Sequence, residues 1–420
     1  MMDRGIKNIV IAYDFASFNG GAAKVAIEEA IGLSDAGFNV FYFAAVGPVS
    51  ELLERSGVTV VCLGQRDILN EGFIRASIQG VYNAAAIATF DRLLREQRFR
   101  PEETVIHLHG WTKALSPFIV SVGRKHGIRT VATLHDFSIT CPNGGYLNYP
   151  ETKVCKLKPL SLDCLRCNCD ARAYTHKIWR YARAWVQTYA ARVFEHSAAV
   201  ITVSEFQKNI LARHLPDSSR MRVLENPMSC ERGTPADPGV AESYLFVGRF
   251  SSEKGALLFA EAAKSAGVRA TFVGKGEKEA EIRGVFPEAE FPGWLPPSEV
   301  VARMRAARAV VFPSLWYETA GYVAYEAMAQ GTPVICSDIT AATEIVRHER
   351  NGLLFESGSV ESLREAILRL TNAAEARNLG QNAYEDFWAK DRSLETHLEE
   401  LLGIYESVLP RSRAERAVAA

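Results

Sequence analysis

No run among the 420 residues approaches the roughly 18 consecutive apolar residues of a membrane-spanning helix, which argues against a chain threaded through a bilayer. Excess charge is missing too. The formal net charge is -1, so no basic field marks a dedicated nucleic-acid binder. The amino terminus enters a strand directly and lacks the longer apolar region and cleavage site of a signal peptide. No internal repeat is apparent, which excludes a solenoid or propeller. A soluble, cytoplasmic protein of two or three domains is expected.

Cysteine is the exception to this plainness. Eight are present, and five fall between Cys141 and Cys169 with the spacing C-x13-C-x8-C-x2-C-x-C. In a reducing compartment such clustering favours a metal over disulfides. Cys141, Cys155, Cys164 and Cys167 are the candidate ligands of a tetrahedral structural zinc, with Cys169 as a substitute and free thiols as the alternative. The following segment, 171–196, reads as a helix that interleaves aromatic and basic residues. A domain helix with a solvated basic face is the plainer reading, and peripheral contact with an anionic membrane the alternative.

Strands alternate with helical segments elsewhere, as a parallel sheet requires. KNIVIAY (Lys7 to Tyr13) leads into a loop with Gly20 and Gly21 and then an amphipathic helix, the opening of a Rossmann-like unit. The spaced third glycine of a dinucleotide fingerprint is missing, which weakens a dehydrogenase reading. Two strand ends carry histidines, HLHGWT (His107 to Thr112) and TLHDF (Thr133 to Phe137). His107 reads as a core or cleft-wall residue, His109 is balanced between wall and site, and Asp136 reads as a loop cap. A boundary rich in proline and small polar residues lies at 226–240. A second α/β run follows. The division is an N-terminal domain over 1–228 with an insertion at 141–169, a C-terminal domain over 240–390, and a helix and tail over 391–420. Two Rossmann-like domains face each other across a cleft.

The stretch from Val310 to Asp338 is the chemical centre of the second domain. It reads as strand, small-residue elbow (Thr319 to Gly321), helix and strand. Free backbone N–H groups at the helix start and the helix dipole favour a phosphate there. Glu318 and Glu326 bracket the elbow, and carboxylates are good partners for hydroxyls. Arg249 and Lys254, at another strand end, suit one shared anion. A nucleotide sugar has this layout of hydroxyls on either side of a diphosphate.

Taken in order, GGAAKVAIEEA, HLHGWT, TLHDF, VITVSE, VGRFSSEKG, FVGKGE, GWLPPSE and ETAGYVAYE followed by AMAQGTPVI make the chain resemble the retaining glycosyltransferases of family 4, which have the two-domain GT-B fold. The resemblance spans nearly the whole chain and includes the E-x7-E element at Glu318 and Glu326. It implies that Arg249 and Lys254 bind the donor diphosphate. Glu318 would contact sugar hydroxyls, and Glu326 would hold the ribose. The amides of Thr319, Ala320, Gly321 and Tyr322 would meet phosphate and sugar, and His135 would lie near the transferred sugar. Gly20 and Gly21 would shape the N-terminal side of the cleft, while Gly274, Gly293 and Trp294 would line the base pocket. The implied reaction moves a sugar from a UDP- or GDP-type donor to a hydroxyl acceptor, such as a lipid-linked glycan, without a catalytic metal. A nucleotide-sugar hydrolase or epimerase and a silent nucleotide-sugar-binding scaffold are the alternatives. Two departures, Glu225-Asn226-Pro227-Met228 in place of a Pro-Asn-Gly-Val turn and ETAGY in place of a Glu-Gly-Phe-Gly elbow, leave the donor open.

Overall fold

The computed structural model describes residues 5–67 and 73–410. Continuous apolar runs such as NIVIAYDF form strands buried on both faces, as parallel sheets covered by helices demand. The first sheet comprises β1 (Asn8–Phe15), β2 (Asn39–Val46), β3 (Thr59–Gln65), β4 (Thr104–Leu108) and β5 (Arg129–Leu134). After a small antiparallel hairpin of β6 (Leu147–Asn148) and β7 (Lys153–Val154), β8 (Ala199–Thr202) and β9 (Met221–Val223) complete it. Its spatial order is β3-β2-β1-β4-β5-β8-β9, all parallel.

The second sheet contains β10 (Ser243–Val247), β11 (Arg269–Val273), β12 (Glu290–Gly293), β13 (Ala309–Phe312), β14 (Val334–Ser337) and β15 (Gly352–Phe355). Its order, β12-β11-β10-β13-β14-β15, is again parallel throughout. In each sheet the order reverses beside the first strand, and the crevice at such a switch point is where open α/β sheets receive ligands. Two Rossmann-like domains are therefore observed, in the GT-B arrangement.

The chain crosses back at its carboxyl end. The helix Leu394–Val408 joins the core of the first domain, with Leu398, Leu401 and Tyr405 packed among its strands and helices. A side-chain carbon on Gly32 would lie only 2.6 Å from Leu398, so glycine is what admits this helix so closely. Residues 411–420 of the expected tail lie outside the described residues. No helix among the described residues is long and apolar enough to cross a membrane.

The segment 171–196 departs from the single helix expected. It runs as a helix over Tyr174–Trp185, widens into a π-turn over Val186–Ala190, and breaks at Arg192, whose φ is 51°. The cause is Gln187. Its buried amide accepts from Trp111 Nε1 at 2.8 Å and donates to the Ser138 carbonyl at 2.8 Å, which fixes the turn against both strand-end loops.

Candidate active site

In the second domain, β13 ends at Phe312 and the elbow leads to the helix Tyr322–Ala329, whose cap Gly321 has φ 78°. That left-handed value favours glycine, and the first helical amides have no partner within the helix. Lys254 follows β10 on a short turn closed by Gly255. At Gly255 a side-chain carbon would collide with the Pro313 carbonyl at 2.0 Å, so the Lys254 turn and the β13 loop are packed backbone to backbone.

This closeness brings Lys254 Nζ onto the Glu318 carboxylate, which also accepts from Ser314 Oγ at 3.0 Å. Burial would raise the Glu318 pKa, but the ammonium and the hydrogen bonds win and hold it below the usual range. Lys254 also lies 5.5 Å from the Trp316 ring. Arg249 is exposed at the end of β10. Glu326 is mostly shielded, and burial pushes its carboxyl up, with Lys24 of the first domain pulling the other way. Gly274 and Gly293 meet through the Gly274 N–H to Gly293 carbonyl bond of 2.9 Å, with Trp294 exposed beside them.

The first domain reaches this elbow directly. Thr319 Oγ1 donates to the His135 carbonyl at 2.9 Å, and Ser204 Oγ donates to the Thr319 carbonyl at 2.7 Å. The Phe206 amide donates to the Glu344 carboxylate. Gly21 lies against Tyr322, where a side-chain carbon would sit 3.4 Å from the ring. The Tyr322 hydroxyl is buried and has no hydrogen-bond partner among the described residues. Glu318, the elbow, His135 and Gly21 therefore share one cleft.

Behind His135 lies a buried polar chain. His135 Nε2 is 3.1 Å from His109 Nδ1, and His109 Nε2 is 3.1 Å from both His107 Nδ1 and Glu29 Oε2. His107 Nε2 contacts Thr133 Oγ1 at 2.7 Å, and the Tyr405 hydroxyl contacts His107 Nδ1 at 2.7 Å. His397 closes the chain, with Nε2 3.0 Å from Glu29 Oε1 and Nδ1 2.8 Å from the Glu225 carbonyl.

These partners assign the protons. His397 faces an acceptor at each nitrogen and so carries two protons, and its pKa is raised although burial opposes this. Burial would raise Glu29, yet the histidines hold it well below the carboxylate range. Burial drives His107 down to about 4 and His135 down to about 3, so both are neutral. With His109 donating from Nε2 to His107 Nδ1, His135 donates its Nε2–H to His109 and keeps Nδ1 as an acceptor. Glu29, His107 and His109 place donor atoms at a spacing that a cation would accept. Glu29 Oε2 has no hydrogen-bond partner among the described residues.

His107 is the buried wall residue expected, and Asp136 is a loop cap that accepts from the Ser138 amide at 2.8 Å. Sequence reasoning missed Glu29, His397, Tyr405 and Asp14. The buried Asp14 carboxylate accepts from the amides of Lys113, Ala114 and Leu115 at 2.8–2.9 Å and fixes the turn after β4. A signal for Glu29 existed. It sits on the same helical stripe as Ala26 and Leu33, the buried face.

All five cysteines of the insertion border one small cavity. Cys141, Cys164 and Cys169 are buried, Cys155 and Cys167 half-buried, and none of the eight cysteines is in a disulfide.

The two parallel-sheet domains define the GT-B fold class, and the comparisons agree. The Glycosyltransferase Family 4 model matches residues 19–232, and the model for glycosyl transferases group 1 matches 236–386. The chain belongs to glycosyltransferase family 4. An uncharacterized glycosyltransferase of Methanocaldococcus jannaschii is 32% identical over 219 residues, 51% of this chain and 60% of that protein. Alpha-maltose-1-phosphate synthase of Mycolicibacterium smegmatis is 25% identical over 366 residues, 77% of this chain and 83% of its own. A GDP-mannose-dependent alpha-mannosyltransferase of Mycobacterium tuberculosis is 32% identical over 173 residues, 41% of this chain and 44% of its own. The match thus spans less than two thirds of two of these three relatives. Among solved structures, Anabaena HepE in complex with UDP-glucose superposes with a TM-score of 0.63 at 18% identity, covering 95% of this chain and 99% of that one.

Proposed function

We propose that this glycosyltransferase moves a sugar from a nucleoside-diphosphate sugar to a hydroxyl acceptor with retention of configuration, in the synthesis of a polysaccharide or glycoconjugate. The pairing of Lys254 with Glu318 at the open start of the helix Tyr322–Ala329, opposite His135, carries the reading. It joins a cation for phosphate, a carboxylate for hydroxyls and free amides in one cleft.

In this reading Arg249, Lys254 and the amides of Thr319 to Tyr322 hold the diphosphate and stabilise its departure, since fixed positive charge is worth most where negative charge develops. Glu318 holds sugar hydroxyls, Glu326 the ribose, and Gly274, Gly293 and Trp294 border the base. The neutral His135 presents Nδ1 as an acceptor to the transferred sugar, and Gly20 and Gly21 leave room opposite the elbow. The acceptor oxygen bonds to the anomeric carbon as the bond to the diphosphate breaks, and its proton passes to the departing phosphate. No catalytic metal is needed for this step. The GDP-mannose-dependent relative and the UDP-glucose complex of the structural neighbour make both nucleotide types worth testing. A lipid-linked glycan, met at the inner face of the membrane, is the acceptor class we favour.

A screen of UDP- and GDP-sugars with a glycan acceptor mixture, read as nucleoside diphosphate released, tests the proposal. Release that requires acceptor and yields the α-anomer from an α-donor is expected. Release at full rate without acceptor would replace transfer with hydrolysis.

A further inference from the structure

We propose that the cysteine insertion holds a thiolate-ligated metal centre that braces both arms of the cleft, with Cys141, Cys155 and Cys164 as ligands and a fourth from the adjacent Cys167 and Cys169. The insertion is poor in structure of its own. Between Cys141 and Cys169 it has a hairpin of two-residue strands and the five-residue helix Leu162–Arg166. Tyr146, Thr152 and Leu160 hold left-handed φ values of 49°, 51° and 56°. Such strain persists only where the surroundings fix the backbone, and a segment this small needs a staple. Disulfides do not supply it.

The donors around the sulfurs suit thiolates. The turn at Cys141 is closed by the Gly144 N–H to Cys141 carbonyl bond of 2.9 Å, with Gly144 at φ 76°. Lys177 is 1% exposed, and its ammonium lies 3.3 Å from the sulfurs of both Cys164 and Cys169. A buried ammonium is costly without negative charge beside it, and thiolates on a metal supply that charge. Lys177 then acts as the outer partner that offsets an anionic cluster.

Zinc and an iron–sulfur cluster share this ligand chemistry. The five sulfurs do not form a group whose atoms all lie within 4.8 Å of one another, as those of Glu29, His107 and His109 do. A zinc site has an edge of about 3.8 Å, from Zn–S bonds of about 2.3 Å. Zinc therefore needs the sulfurs drawn inward. The brace reaches the cleft on both sides. Gly145 packs on Trp316 so tightly that a side-chain carbon would lie 2.8 Å from the ring, Phe137 meets Tyr317 edge-on, and Tyr146 lies tilted against it.

Metal analysis of the full chain, purified without chelator, tests this together with its visible spectrum. About one zinc per chain without visible absorption supports a zinc centre, and iron with acid-labile sulfide and a visible band supports a cluster. Cys141→Ser and Cys155→Ser should lose the metal, while Cys230→Ser, outside the insertion, keeps it. Lys177→Met should bind but release metal to a chelator about tenfold more readily. Should the serine variants fail to fold, a mercurial titrated into the unaltered protein must release metal as thiols react. A chain with no stoichiometric metal, or metal retained in Cys141→Ser and Cys155→Ser, overturns the proposal. Both readouts are independent of sugar transfer.

Discussion

His109 Nδ1 lies 3.1 Å from His135 Nε2, with the two rings stacked at an interplanar angle of 20°. The residue beside the expected sugar position is thus held from behind by His109, whose Nε2 lies 3.1 Å from Glu29 Oε2. Replacing His109 with Phe keeps the ring but leaves the His135 Nε2–H unpaired, a loss of about 1–3 kcal/mol. Transfer should fall about tenfold, and the melting temperature should drop by an amount that matches the unpaired donor. Unchanged kinetics would show that His109 does not position His135.

Glu29 and its histidines set an optimum in stability with pH. Below about pH 6.5 the unfolded chain protonates histidines that the fold keeps neutral, His107 at about 4 and His135 at about 3, so stability falls with falling pH. Glu29 adds to that loss as pH drops through the carboxylate range. His397 has the opposite sign. Its raised pKa stabilises below the ordinary histidine value and fades as pH rises through the raised one. Melting temperatures should peak near neutrality. Glu29→Gln leaves buried cationic His397 without its counter-charge and should lose about 3–5 kcal/mol while flattening the alkaline limb.

Gly255→Ala tests how the Lys254 turn is seated. Its φ of 70° and the 2.0 Å approach to the Pro313 carbonyl forbid a side chain without moving backbone. The variant should melt several degrees lower, at about 2–4 °C per kcal/mol for a domain of about 150–250 residues, and should lose donor binding as Lys254 shifts. Unaltered donor affinity would separate the turn from the site.

Glu326 should read the ribose. The unaltered protein is expected to prefer a ribonucleoside diphosphate over its 2′-deoxy form, and Glu326→Ala should bind both about equally, at the weaker value. A preserved preference in the variant would reassign the ribose contact.

Much of this site was legible in the sequence because parallel strands read as continuous apolar runs and their loops carry the glycines. The elbow between Glu318 and Glu326 follows from local pattern alone, as does the strand end bearing His135. The relay behind it was not legible. Glu29 and His397 lie 368 residues apart and meet only because the last helix crosses back onto the first domain. Lys177 likewise looked like one more cation on a basic helix, and its place between two sulfurs depends on how the insertion folds over it. The break near Arg192 was hidden because its cause, the Gln187 amide locked to Trp111 and Ser138, is tertiary.

Calorimetric titration of UDP and GDP into the unaltered protein and Lys254→Ala tests most directly that the elbow binds the donor. One of the two diphosphates should bind the unaltered protein and should bind Lys254→Ala at least about tenfold more weakly, as the loss of a charge-assisted phosphate contact predicts. Equal affinity in both proteins, or no binding of either diphosphate to the unaltered protein, would contradict the account.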